Sequence, residues 1–328
     1  MIEFENVTKV YPDGTKAIEE VSFTVEEGTT TVLVGPSGCG KTTSMKLVNR
    51  LEEPTEGTVY VDGVDNMAQD RIDLRRNIGY VIQEIGLFDH MTVGENIATV
   101  PELREWEQSR IDERVDELLE LMDLPGNYRD QYPRELSGGQ QQRIGVARAL
   151  AADPDILLMD EPFGALDPIT RDNLQDEFLE IQDRINTTIL FVTHSIDEAL
   201  KMGDQIAIFD VGEIVQYDTP TEILQNPKNE FVENFIGDNR TFKQLAITTV
   251  EEVMEPREER PPGDGDVISA ATDGGDDYAI PADASLQVAL TKLLGSEDPT
   301  LPVVRDGRVV GTVSERHVRS YFGPTEES

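Results

Sequence analysis

Gly35-Pro-Ser-Gly-Cys-Gly-Lys-Thr42 is the stretch on which the reading of this chain turns. It fits G-x-x-x-x-G-K-[ST], a phosphate-binding loop. Its flanks matter more than the pattern. Before it, Thr29-Thr-Thr-Val-Leu-Val34 is a β-branched apolar run that reads as a buried strand. After it, Met45, Leu47, Val48 and Leu51 recur at spacings that suit a helix. Strand, glycine loop and helix start make an anion cradle. Gly35, Gly38 and Gly40 let backbone N–H groups converge on phosphate oxygens, with Pro36, Ser37 and Cys39 between them, and the helix N-terminus adds its positive dipole end. Lys41 is expected to reach the β- and γ-phosphates, and the Thr42 hydroxyl to bind Mg²⁺, with Thr43 following at the helix start.

Upstream, residues 1–34 alternate like antiparallel strands. Ile2 and Phe4 are spaced by two, as are Val21, Phe23 and Val25, with turns at Pro12-Asp-Gly14 and Glu26-Glu-Gly28. Tyr11 reads as a strand-end aromatic. Downstream, residues 57–65 give another strand with an Asp62-Gly63 turn. Ile78-Gly-Tyr-Val-Ile82 is a further strand that ends at the polar Gln83.

Residues from about 92 to 150 read helical. Ile111, Val115, Leu118, Leu119 and Met122 keep helical spacing in an acidic background, which reads as a packed helix face, and Pro125-Gly126 ends the run. In Leu136-Ser-Gly-Gly-Gln140, Ser137 can cap the next helix. Gly138 and Gly139 leave its first N–H groups approachable, ahead of Gln140. This is a second anion-binding helix start. Ile156-Leu-Leu-Met-Asp160-Glu161 is an apolar strand delivering two carboxylates: Asp160 to hold Mg²⁺ through water and Glu161 to orient or deprotonate an attacking water. Ala165-Leu-Asp167 follows after a turn. Thr188–Val192 is one more buried strand, ending in Thr193-His194; a histidine there could hydrogen-bond a phosphate, although lone histidines are more often structural.

The totals narrow the class. A chain of 328 residues with 38% hydrophobic residues suits about two domains. No apolar run reaches the roughly 18 residues of a membrane span, and Met1-Ile-Glu-Phe-Glu does not read as a signal peptide. The single Cys39 excludes an intrachain disulfide, fits a reducing compartment and reads as a small loop residue, not a nucleophile. The formal charge is −37, from 28 basic and 65 acidic residues spread along the chain. Such a surface repels nucleic acid and anionic lipid. Its self-repulsion at low salt suggests a protein that works in multimolar salt, as in a halophile; an ordinary acidic cytoplasmic protein is the alternative.

From Ile206-Ala-Ile-Phe209 the chain reads as strand, Gly212 turn, strand and a short helical tail to residue 236. Residues 237–247 read as a linker. The stretch 255–277 is an acidic Gly/Pro-rich loop, with Pro261-Pro-Gly-Asp-Gly265 and Asp273-Gly-Gly-Asp-Asp277. Order resumes with Ser285 as N-cap, a helix over 286–294 stopped by Gly295, a hairpin turning at Asp306-Gly307 and a short helix to Tyr321. Residues 323–328 are a tail.

With these residues in place, the chain resembles the ATPase subunit of ABC transporters over roughly residues 1–236. The implied fold class is α/β, a P-loop NTPase with an antiparallel β subdomain and a helical subdomain at about 92–150. Gly35–Thr42 looks like Walker A, Gln83 like the Q-loop and Leu136–Gln140 like the signature. Ile156–Glu161 looks like Walker B, Ala165–Asp167 like the D-loop and His194 like the switch histidine. Tyr11 falls where the family stacks an aromatic on adenine.

The resemblance implies ATP and Mg²⁺ as cofactors. Lys41, Glu161 and His194 are then the catalytic residues, and Thr42, Gln83 and Asp160 face the metal. Tyr11, residues 35–43, Gln83, Ser137, Gly138, Gly139, Gln140 and Asp167 surround the nucleotide. It also implies a head-to-tail homodimer that sandwiches each ATP between Lys41 of one copy and Ser137 of the other. The implied partners are integral-membrane permease subunits and, indirectly, an extracellular or periplasmic solute-binding protein, with no nucleic acid. The implied location is the cytoplasmic face of the membrane, peripherally.

Met45–Thr55 and Ile78–Thr92 look like the osmoprotectant importers for glycine betaine, carnitine and choline. An importer for a polar amino acid or another small solute is the nearest alternative, and a soluble non-transport ABC ATPase a more distant one. Residues 248–322 resemble a small α+β CBS-like regulatory region. One full repeat is visible at about 278–322, and Val250-Glu-Glu-Val-Met254 looks like the start of another. His317 stands where nucleotide-binding repeats often place an aspartate, which argues against adenosine binding there.

Overall fold

The computed structural model describes residues 1–256 and 279–322, apart from 165, 183, 186 and 297. The chain divides into two compact units, Met1–Phe235 and Ile236–Ser328.

The first unit opens with β1 (Ile2–Val10), β2 (Lys16–Val25) and β3 (Thr30–Val34), followed by helix α1 (Lys41–Val48). Then come β4 (Glu56–Val61), β5 (Val64–Asp65), α2 (Arg71–Arg76) and β6 (Ile78–Val81). Helices α3 (Val93–Leu103), α4 (Gln108–Leu121) and α5 (Gly138–Leu150) form the helical segment. The unit continues with β7 (Ile156–Asp160), α6 (Pro168–Gln182), β8 (Thr188–Thr193), α7 (Ile196–Met202), β9 (Gln205–Asp210), β10 (Glu213–Asp218), α8 (Pro220–Gln225) and all but the last residue of α9 (Glu230–Ile236).

Two sheets carry the first unit. One is antiparallel, in the order β2-β1-β4-β5. Its alternation buries Ile2 and Phe4 against Val25 and Phe23, and the Phe4 and Phe23 rings stack at 4.5 Å. Burial of each such side chain stabilises the fold by about 1.5–3 kcal/mol. Asp62 and Gly63 both take positive φ, as a two-residue hairpin turn of this type requires. The other sheet has the order β10-β9-β3-β8-β7-β6, parallel except for the edge strand β10. Strands β3, β7 and β8 are buried along their whole length. That is why they read as continuous apolar runs and not as alternations. In such a sheet, ligand sites form beyond the carboxyl ends of the strands.

In the helical segment a capping box at Thr92 and Glu95 starts α3. Ile111, Val115, Leu118 and Leu119 form the buried stripe of α4.

The second unit contains α10 (Arg240–Ile247), α11 (Val250–Val253), β11 (Glu255–Pro256), β12 (Ile280–Pro281), α12 (Leu286–Gly295), β13 (Thr300–Arg305), β14 (Arg308–Ser314) and α13 (Glu315–Tyr321). Its sheet runs β11-β14-β13-β12. Leu245, Val250, Ile280, Leu286, Val303 and Val313 are among its core residues.

The structure departs from the sequence reading in three places. Residues 237–247, expected as a linker, include helix α10, because Leu245 contributes a buried face to the second unit's core. Residues 255–256, expected within the acidic loop, form β11 and pair with Gly311 and Thr312 of β14. The rest of that loop from 257, Ala165 and the tail 323–328 lie outside the described residues. Strand β6 stops at Val81; Ile82 is already 37% exposed, so it has no core position to extend the run.

Candidate nucleotide site

Neighbouring strands β3, β8 and β7 bring three sequence-distant segments to one end of the sheet. Strand β3 runs into the glycine loop. Gly40 has φ 110°, and a Cβ there would lie 2.5 Å from the Ala17 carbonyl; a Cβ at Gly35 would lie 2.3 Å from the Phe209 carbonyl. These two glycines are therefore demanded by close backbone approach as well as by conformation. Helix α1 begins at Gly40 without a side-chain cap, so its first N–H groups remain available to an anion. Pro36, Ser37 and Gly38 form the exposed tip of the loop and Cys39 is buried. Burial raises the pKa of the Cys39 thiol, while Lys41 works the other way. A buried, protonated thiol is a poor nucleophile.

Lys41 is 5% exposed and donates to the carbonyls of Gly35 at 2.7 Å and Pro36 at 2.9 Å. The lysine thus braces its own loop with its ammonium inside the cradle. The Thr42 hydroxyl donates to Asp160 Oδ1 at 3.0 Å, linking the end of β7 to the start of α1. The Tyr11 and Thr43 hydroxyls lie 3.3 Å apart, which sets the Tyr11 ring beside the same helix start.

Asp160 is 7% exposed. Burial raises its pKa and Glu161 adds to the effect, while the Thr42 hydrogen bond and Lys46 and Lys41 act against it. A buried carboxylate beside a hydroxyl is a donor pair suited to a hard cation. Among the described residues no group of three or more His, Cys, Asp and Glu could hold a metal alone. The donor set fits Mg²⁺, which characteristically combines one or two carboxylates with phosphate oxygens and water.

Glu161 follows Asp160 with φ 44°, a left-handed backbone rare outside glycine. Its N–H donates to the Val192 carbonyl at 2.9 Å, and its carbonyl accepts from Gly164 at 3.0 Å. Glu161 Oε2 lies 3.1 Å from His194 Nδ1. Strained backbone of this kind costs about 1–3 kcal/mol and persists where neighbours over-determine it. Both residues are candidates from the sequence; neither the strain nor the pairing has a sequence signal.

The remaining predicted residues are held by other contacts. Ser137 caps α5: its hydroxyl accepts from Gln140 N–H, and Gln140 Oε1 accepts from Ser137 N–H at 2.9 Å. Gly139 packs against Thr170 and Leu174 of α6, and Gly138 faces Leu166. The structure therefore sets this motif beside the start of α6, and it shares no hydrogen bond with Lys41 or Thr42. Asp167 accepts from Thr170 N–H at 3.1 Å; that residue's hydrogen bonds lower the Asp167 pKa. Gln83 is exposed in an open cleft of about 630 Å³ that it shares with Ile85, Leu87, Gln141 and Gly164. It makes no hydrogen bond to Thr42 or Asp160. No described helix is long and apolar enough to cross a membrane.

Residues 18–164 match the family model described as ABC transporter, and residues 275–323 match the CBS domain. A carnitine transport ATP-binding protein, OpuCA of Listeria monocytogenes, is 50% identical over 311 residues, covering 94% of this chain and 74% of the relative. A glycine betaine/carnitine/choline transport ATP-binding protein of Bacillus subtilis is 56% identical over 255 residues, covering 77% and 67%. The osmoprotectant import ATP-binding protein OsmV of Salmonella typhimurium is 40% identical, covering 98% and 96%. Among solved structures, a dimeric post-hydrolysis state of the ATP-binding cassette MJ0796, bound to ADP and Pi, matches with a TM-score of 0.60. That pair is 33% identical, over 67% of this chain and 99% of the cassette.

Proposed function

The chain belongs to the ABC transporter family of ATP-binding subunits, and from that premise we propose that it hydrolyses ATP to drive import of an osmoprotectant such as glycine betaine, carnitine or choline. The observation that carries the hydrolytic reading is the meeting of Lys41, Thr42, Asp160, Glu161 and His194 at the ends of three adjacent strands. The names of relatives at 40–56% identity carry the solute class.

In this reading the glycine loop and the start of α1 hold the phosphates, and Lys41 exchanges its loop carbonyls for phosphate oxygens. Tyr11 supports the adenine. Thr42 and Asp160 would hold Mg²⁺, which would supply neutralisation of charge on the β- and γ-phosphates. Glu161 orients water for attack, and His194 keeps that carboxylate aimed while facing the γ-phosphate. Ser137, Gly138, Gly139 and Gln140 serve the nucleotide of a second copy, as in the head-to-tail sandwich, because their own helix start shares no hydrogen bond with Lys41. Asp167, the residue after the Leu166 that Gly138 faces, serves the same nucleotide. Gln83 and its cleft pass the motion to membrane-embedded permease subunits at the cytoplasmic face. A solute-binding protein delivers cargo to those subunits from outside.

The test has two arms. Glu161→Gln should retain ATP binding, lose hydrolysis by about 10²-fold or more and accumulate as a dimer in ATP on sizing columns. Uptake of labelled glycine betaine, carnitine and choline should fall in cells lacking the gene and return with it. A variant that stays monomeric in ATP removes the sandwich mechanism. Uptake of all three solutes unaffected by the gene removes the substrate class and leaves the polar amino acid reading.

A further inference from the structure

Thr193 ends β8 one residue before His194, and its hydroxyl is at the centre of a buried network. It donates to Glu198 Oε2 at 2.5 Å and accepts from Ser195 N–H at 3.0 Å. His194 therefore sits inside a turn closed by the hydroxyl of the residue before it and the N–H of the residue after it. Glu198, on α7, is 7% exposed. Its other oxygen accepts from Gln175 Nε2 at 3.2 Å and lies 3.8 Å from Arg171 Nε. Arg171 in turn donates to the carbonyls of Phe163 at 3.2 Å and Leu166 at 3.0 Å. Those carbonyls belong to the turn that leaves Glu161.

A carboxylate this deeply buried is costly unless its oxygens are engaged. Here each is, and the partners come from both sides of the catalytic pair. On one side Glu198 fixes the turn that presents His194. On the other, through Arg171 and α6, it fixes the turn that leads out of Glu161. The 3.1 Å contact between His194 Nδ1 and Glu161 Oε2 depends on the mutual register of those two loops, which lie on different strands. Apolar packing would not specify that register, because it lacks direction; hydrogen bonds to a shared carboxylate do.

We propose that Glu198 is a positioning residue for ATP hydrolysis: it locks the His194 turn, through Thr193, and the loop after Glu161, through Arg171, into one register. The inference rests on the reading of Glu161 and His194 as the hydrolytic pair. It requires that loosening the network slow the chemical step while leaving nucleotide binding in place, since no hydrogen bond joins the Glu198 or Thr193 side chain to the glycine loop. Glu198→Gln keeps the shape but turns an amide N–H₂ toward donors that need an acceptor. Thr193→Val removes the hydroxyl without changing the volume, and Thr193→Ser retains it.

The experiment is steady-state ATPase and equilibrium ATP binding of the full-length protein, with the variants Glu198→Gln, Thr193→Val, Thr193→Ser and the Glu198→Gln/Thr193→Val double. We expect Glu198→Gln and Thr193→Val each to lower kcat about tenfold, with KM and ATP affinity within about twofold. Thr193→Ser should recover wild-type kcat. The double variant should be no slower than the slower single, because both cut the same connection. Equal kcat for Thr193→Val and wild type, equal kcat for Thr193→Val and Thr193→Ser, or losses that multiply in the double variant each overturn the proposal. The Thr193 pair decides the matter if Glu198→Gln does not fold. A wild-type protein that does not hydrolyse ATP would instead remove the ATPase reading, and this inference with it.

Discussion

Asp160 carries a charge that its surroundings resist. Burial lifts its pKa above the ordinary value. A raised carboxylate pKa means that the stability linked to Asp160 is fully present below the unfolded value of about 3.9 and is lost as pH rises through the folded value. Asp160→Asn, which keeps an oxygen for the Thr42 hydroxyl, should therefore raise the melting temperature of the nucleotide-free protein at neutral pH. The gain should shrink to nothing as pH falls below the carboxylate range. The same variant should lose Mg²⁺-dependent ATPase by about 10²-fold or more. A neutral-pH melting temperature equal to or below wild type would contradict the electrostatic account of this position. Lys41 offers a second test. Its ammonium braces Gly35 and Pro36 and is also the cation expected at the phosphates. Lys41→Ala should weaken ATP binding by at least about tenfold, measured by titration calorimetry, because a charge-assisted contact of about 1.5–3 kcal/mol disappears.

Helices in this protein are defined by what they are packed against as much as by their own sequence. Helix α4 announces itself by a four-residue buried stripe, Ile111, Val115, Leu118 and Leu119. Helix α10 does not. Its eight residues, Arg-Thr-Phe-Lys-Gln-Leu-Ala-Ile, place only Leu245 in a buried position. Short helices of this length are marginal in water and depend on tertiary contacts. Leu245→Ala should therefore cost about 2–5 kcal/mol of the second unit's stability. Hydrogen exchange of amides in α12 and β13 should accelerate accordingly, while those in β3, β7 and β8 stay protected. Equal acceleration in both units would mean that they unfold together.

At the scale of the whole molecule the governing quantity is the charge of −37. Carboxylate self-repulsion is screened by added ions, since the Debye length falls from about 10 Å at 0.1 M salt to about 3 Å at 1 M. Stability and ATPase activity should accordingly rise with KCl up to about molar concentration; a maximum at about 0.1 M would remove the case for a high-salt protein. The division into two units leads to a separate test. The predicted nucleotide-site residues lie within Met1–Phe235, so a chain ending at Arg240 should retain basal hydrolysis. Reconstituted with the proposed permease subunits in vesicles of stepped internal salt, the full-length protein should be activated by salt and the truncated chain should not. Identical activation curves would show that the second unit is not the sensor, and loss of basal hydrolysis would show that the first unit is incomplete without it.

Local chemistry makes part of this protein readable from its residues alone. Buried parallel strands must be continuous apolar runs, so Thr29–Val34, Ile156–Glu161 and Thr188–Val192 read as strands, and β3, β7 and β8 form there within a residue at either end. Glycines at a phosphate loop, a serine at a helix cap and carboxylates at a strand end are local requirements, and they named the candidate residues before any contact was known. Tertiary structure alone decided which of them meet. Thr42 reaches Asp160 across 118 residues and His194 reaches Glu161 across 33, because strand order, which periodicity does not encode, makes β3, β8 and β7 neighbours. The left-handed backbone of Glu161 and the engagement of Glu198 were equally invisible in the sequence, since each is maintained by partners distant along the chain. Helix α10 was hidden for the same reason: a single buried leucine has no period, and only the core it enters distinguishes it from a linker.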